Sequence, residues 1–139
     1  MGLRGLMDTL RSRYPPAMAN IRLGSVALDC ADPVALGAFW AELLHGDVAF
    51  SSEEFVAVKT DRVWVTAVRV PDHQAPTWPG SGRPKQMHLD LVVDDLNQAE
   101  TEALRLGAVR AADQPAPDRY VVLFDPAGHP FCLTTQIPE

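Results

Sequence analysis

The sequence predicts an α+β protein in which one βαβββ unit is written twice. Two observations carry that prediction. Ser25 to Leu44 and His88 to Gly107 share one pattern: a short apolar strand, an acidic helix start, then an amphipathic helix. Matching Asp32 with Asp95 sets Ser25 opposite His88, about 63 residues away, and each helix is followed by short β-rich runs. A period of that size is too long for a solenoid and suits two fused half-domains. Neither half alone buries a sufficient core, so the two are expected to pack as one domain.

In chain order, Ile21 to Cys30 reads as the first strand, with apolar residues on both faces. Asp32-Pro33 is a helix start: Asp serves as N-cap, and Pro at the first position loses no hydrogen bond. Leu36, Phe39, Trp40, Leu43 and Leu44 form one apolar stripe, and His45-Gly46 ends the helix, Gly46 taking the left-handed conformation. Strands are expected near 47–50, 54–59 and 62–70. Residues 71–85 hold Pro71, Pro76, Pro79, Pro84, Gly80 and Gly82, the composition of a linker. In the second half Met87, Leu89, Leu91 and Val93 share one strand face, and His88, Asp90 and Val92 the other. Asp94-Asp95 starts a helix that buries Leu96, Ala99, Ala103 and Leu106 and stops at Gly107. Short strands follow near 108–112, 119–124 and 131–135, the last two joined by the turn Asp125 to Pro130.

At 139 residues, 47% hydrophobic and 22% charged, the chain has the composition of one soluble globular domain. A net charge of −6 opposes a general affinity for nucleic acid or anionic membranes. No apolar run is long enough to span a bilayer, and the N-terminus lacks a signal-peptide pattern. Cys30 and Cys132 make no disulfide framework, so a reduced, cytoplasmic setting is expected. Residues 1–19 read as a flexible leader, with Met18 an alternative start. The single domain then spans 20–138: module one 21–70, linker 71–85, module two 86–135.

These residues together carry a resemblance. Val26 to Pro33, Phe39-Trp40, Leu43-Leu44, His88 to Leu96, Leu106-Gly107 and Val122 to Leu133 lie in the order and spacing of the vicinal oxygen chelate superfamily. The likeness is to its glyoxalase-like and bleomycin-resistance-like members and covers roughly 21–135. It implies two βαβββ modules paired into a concave, barrel-like mixed sheet with flanking helices, a small-molecule cavity and a homodimer. Metal-dependent members take one ligand from the first and one from the last strand of each module. The corresponding positions here are Ser25, a residue near Val68 (Ala67 or Arg69 if the alignment slips by one), His88 and Cys132. Only His88 is a usual ligand there. A catalytic metal needs about three protein ligands. A cysteine between Phe131 and Leu133 also reads as a small core residue. No metal or other cofactor is therefore expected.

His88 has two readings: a histidine satisfied by hydrogen bonds within a sheet, or a recognition or acid–base group. Asp90 shares its face, near enough for a common cavity without an obligatory His–Asp bond. His88 and Asp90 are the candidate catalytic pair, and Ser25, Trp64, Val68, His88 and Cys132 the candidate ligand-binding set. Trp78, an aromatic in the linker, suits a pocket mouth or dimer contact; His73 and His129, in turn-rich segments, read as solvated. Three functions compete. The first is metal-free binding of a small organic molecule. The second is a lyase, isomerase or dioxygenase-like enzyme using His88 and Asp90 with a weakly held metal. The third is a structural dimer whose cavity is filled by its own side chains. Fold transfers better than function on such a scaffold.

Overall fold

The computed structural model describes residues 19–138, so the reading of 1–19 as a leader falls almost wholly outside it. The first module is β1 (Ser25–Cys30), α1 (Pro33–Leu43), β2 (Asp47–Ser51), β3 (Phe55–Lys59) and β4 (Trp64–Arg69). The second is β5 (Leu89–Val92), α2 (Leu96–Leu106), β6 (Val109–Arg110), β7 (Tyr120–Phe124) and β8 (Pro130–Thr134). Each forms a four-stranded mixed sheet, ordered β1-β4-β3-β2 and β5-β8-β7-β6, in which the first strand runs parallel to the last. The sheets remain two separate ladders and do not close into a barrel.

Local chemistry sets both helices. Asp32 accepts the Ala35 N–H at 3.1 Å and Asp95 the Gln98 N–H at 2.9 Å, satisfying donors the first turn leaves free. Gly107 closes α2 at φ 117°, the left-handed cap. At the end of α1 the expectation is corrected: His45, not Gly46, takes the left-handed conformation, at φ 54°. Gly46 is needed for room instead, since a Cβ there would meet the Lys59 carbonyl at 2.5 Å.

β1 starts at Ser25 rather than Ile21, leaving Ile21 and Leu23 exposed. Ser25 pairs with Trp64, the first residue of β4, and the chain before Trp64 bends away through a Thr60 turn. Earlier residues thus have no ladder to join. Met87 is exposed for the same reason, just ahead of β5.

The modules share one core. Phe39 and Trp40 of α1 pack on Phe131 of β8, the Trp40 and Phe131 rings meeting edge to face at 5.2 Å. The β7–β8 turn adds polar ties. Trp40 Nε1 donates to Asp125 Oδ2 at 3.0 Å, and the His129 ring donates from Nε2 to the Asp29 carbonyl of β1 at 2.6 Å. Asp125 is 2% exposed, and its other carboxylate oxygen accepts the Ala127 and His129 N–H groups. A buried carboxylate is tolerated only with such partners. Burial leaves its pKa raised, although nearby His129 and those same bonds pull against the shift. No helix among the described residues is long and apolar enough to cross a membrane.

Candidate functional site

β5 alternates as its sequence requires. Leu89 and Leu91 join the core, while Asp90 and Val92 face the other side. Parallel pairing sets Asp90 beside Cys132 of β8. His88, one residue ahead of the strand, falls on the Asp90 side and closes a contact that spacing alone did not demand. His88 Nε2 lies 3.1 Å from Asp90 Oδ1. A donor atom from each of His88, Asp90 and Cys132 lies within 4.8 Å of the others. Side-chain exposure is 28% for His88 and 47% for Asp90, while Cys132 is buried, so the cluster opens to solvent on its acidic side.

The linker roofs this cluster. Trp78 stacks on His88 with ring centres 5.5 Å apart and planes 25° apart, and the Lys85 ammonium sits 3.8 Å over the indole. A cavity of about 310 Å³ lies beneath, lined by Trp78, His88, Asp90 and Cys132, with Tyr120, Thr134 and Ile137 at its sides. Burial, reinforced by the charge and hydrogen bond of Asp90, pushes the Cys132 thiol up to about 11. At neutral pH Cys132 is therefore a thiol, not a nucleophilic thiolate.

The first sheet contributes nothing to this cavity. Ser25, Trp64 and Val68 lie on the face of that sheet away from α1, and none lines the pocket. The strand registers also move the internal correspondence. Ala27 matches Asp90 in the repeat and pairs with Thr66, as Asp90 pairs with Cys132. The first-module counterpart of Cys132 is therefore Thr66, two residues before Val68 on the same face. Ser25, Ala27 and Thr66 stand where module two has His88, Asp90 and Cys132, so every strong donor belongs to module two.

His73 and His129 are not free in solvent. His73 Nε2 lies 2.9 Å from the Ala127 carbonyl, His129 is held by Asp29, and the two rings sit 5.3 Å apart. They line a second, larger cavity between the modules. The sequence reading missed this pairing because it depends on the linker crossing over the β7–β8 turn.

Two four-stranded sheets, each with its first strand parallel to its last, give the paired-module architecture of the vicinal oxygen chelate class. Residues 25–134 match the family model described as a glyoxalase-like domain, and the chain belongs to that family. Among solved structures it is similar to a mutant of the fosfomycin resistance protein FosX from Listeria monocytogenes, complexed with Mn(II) and 1S,2S-dihydroxypropylphosphonic acid. The TM-score is 0.65 at 14% identity, covering 86% of this chain and 95% of that one. FosX from Mesorhizobium loti gives 0.62 at 12%, covering 86% and 94%. The bleomycin-binding protein from Streptomyces verticillus, complexed with copper(II)-bleomycin, gives 0.56 at 20%, covering 86% and 100%. At these identities the likeness is one of fold. No curated protein sequence matches the chain significantly.

Whether a cation suits this cluster depends on its donors. His88, Asp90 and Cys132 can reach one ion, a fuller set than His88 alone. Manganese favours carboxylate, imidazole and water oxygen, whereas a thiolate suits softer ions such as zinc. Cys132 must also lose a proton held up to about pH 11 before it can ligate. The residues thus fit a zinc-like ion in donor type and do not fit manganese.

Proposed function

We propose that this protein binds a small organic molecule in the pocket over its second sheet, without a catalytic metal, as a homodimer in a reducing cytoplasm. The observation that carries this reading is the pocket itself. A stacked aromatic roof, Trp78, lies over a hydrogen-bonding floor of His88, Asp90 and Cys132. Ligand sites combine apolar walls with a few fixed polar groups, and about 310 Å³ suits a small ligand. Trp78 supplies an apolar wall, while His88 and Asp90 fix the orientation of a ligand's polar groups. Two free, buried cysteines are consistent with a reducing compartment. The test is a ligand screen by isothermal titration calorimetry in protein treated with chelator. Hits retained in EDTA and lost in Trp78→Ala support the reading; hits that vanish in EDTA overturn its metal-free part.

A second reading, an enzyme of the lyase, isomerase or dioxygenase-like kind, draws on the 3.1 Å His88–Asp90 contact. A carboxylate that orients an imidazole is the arrangement general acid–base catalysis uses. Metal content after incubation with zinc, iron(II), nickel and manganese separates the two readings. Stoichiometric zinc that disappears in His88→Ala favours the enzyme; no retained metal favours binding.

A further inference from the structure

A second cavity, of about 500 Å³, lies between the modules, bounded by β1, the linker and the starts of β5 and β8. It is distinct from the pocket over the second sheet; the two share only His88 at their boundary. Val26, Leu28, Trp40, Met87 and Leu89 make most of its walls apolar. Its polar groups are His73, Gln74, Arg83, Gln86, His88 and His129, together with Asp29.

We propose that this cavity is a binding site for a small organic monocarboxylate: an apolar body whose one carboxylate is held by Arg83, with the His73–His129 pair beside it. Three observations carry the assignment. Arg83 is anchored, donating to the Ala75 carbonyl at 2.8 Å and to Gln74 Oε1 at 2.6 Å. A guanidinium has five N–H donors, so three remain for a ligand, in the fork geometry that suits a carboxylate. The second observation is the histidine pair. Each ring faces a backbone carbonyl, which can only accept, so each donates from Nε2 and keeps Nδ1 for a further partner. A ring that donates from Nε2 presents Nδ1 as an acceptor, so the pair takes a hydroxyl or N–H on the ligand body and leaves the carboxylate to Arg83.

The third observation is charge. Arg83 supplies the one permanent positive charge of the lining, and Asp29 the one carboxylate. Asp125, below His129, is already committed to Trp40 and two backbone N–H groups. Arg83 can neutralise one carboxylate, while Asp29 leaves the lining with no net positive charge to offset a phosphate dianion. A volume of about 500 Å³ with mostly apolar walls requires the rest of the ligand to be hydrocarbon or aromatic.

The test is a two-dimensional amide NMR titration of the full chain with 3-phenylpropionate and, separately, its neutral amide 3-phenylpropionamide. The acid is expected to shift Ala27, Asp29, Gly128 and His129, with the amide at least about tenfold weaker. Arg83→Gln is expected to weaken the acid by about tenfold and Arg83→Lys by less, since Lys keeps the charge but loses the fork. Should Arg83→Gln disturb the linker, the acid–amide comparison on the unaltered protein still decides. Cys132→Ala, in the other pocket, is expected to leave this titration unchanged, so failure at one site is told apart from failure at the other. No shift at about 10 mM acid, equal binding of acid and amide, or shifts confined to Cys132 and Thr134 would each overturn the assignment.

Discussion

Single side chains here do work that their positions in the sequence only partly announce. Cys132 reads as a small core residue and is buried as one, yet it also floors the pocket beside Asp90. Its raised pKa makes a signed prediction. The folded state holds the thiol proton more tightly than the unfolded chain, whose thiol titrates near 9. The resulting stability is complete below about pH 9 and declines as pH rises through about 11. Urea unfolding in EDTA at pH 8 and pH 10.5 is expected to show a steeper pH loss for the natural protein than for Cys132→Ala. Trp40 offers a second prediction. Trp40→Phe removes the Asp125 partner and leaves space beside Phe131, so a stability loss of about 2–4 kcal/mol by urea denaturation is expected. Trp40 was legible as core from its helical spacing. Asp125 was not, because a DPAG turn looks solvated until the fold lays α1 across it.

The elements were largely legible because capping and alternation are local. Asp32 and Asp95 fixed both helix starts, and period-two patterning placed every strand within a few residues. What escaped was whatever depends on a neighbour. β1 begins four residues later than its apolar run because β4 offers no partner before Trp64. Gly37 shows the same dependence. A glycine inside a helix costs about 1 kcal/mol relative to alanine. Here a Cβ would stand 2.3 Å from Val56 Cγ1, so the glycine lets α1 lie close against β3. Gly37→Ala, which helix propensity alone would make stabilising, is therefore expected to cost about 1–3 kcal/mol, read as a lower thermal or urea midpoint. A neutral or stabilising result would mean that α1 can lift from the sheet without loss.

Across the whole molecule the internal repeat shows how far symmetry carries. It fixes two matching sheets, but the strong donor side chains lie on one of them: His88, Asp90 and Cys132 face Ser25, Ala27 and Thr66 across the pseudo-symmetry. The sequence pointed to His88 and Cys132. It could not give the His88–Asp90 contact, or the Trp78 roof, because both depend on how a proline-rich linker is laid over β5 and β8. Trp78 of the linker roofs the open face of the second sheet. On the first, α1 covers one face, while the other carries Phe50 and Trp64, 56% and 37% exposed, with Phe55 packed against Phe50 and no helix among the described residues above them. Cross-strand pairing puts Phe50, Ala57 and Thr66 in one row, with Phe55, Trp64 and Val68 on either side. A contiguous aromatic face of this kind marks an association surface, and a second copy of the chain supplies a matching one. A stable interface needs about 800 Å² from each partner, roughly one face of a small sheet with its rim. Light scattering on the purified protein is therefore expected to give twice the 15.2 kDa chain mass, falling to one in Phe50→Lys/Trp64→Glu with helix and strand content unchanged. Charges placed at the centre of such a face must be desolvated to pair, which separates a true interface from an incidental greasy patch. A natural protein that stays monomeric at about 100 μM would leave this face to water and remove the dimer from the proposed function.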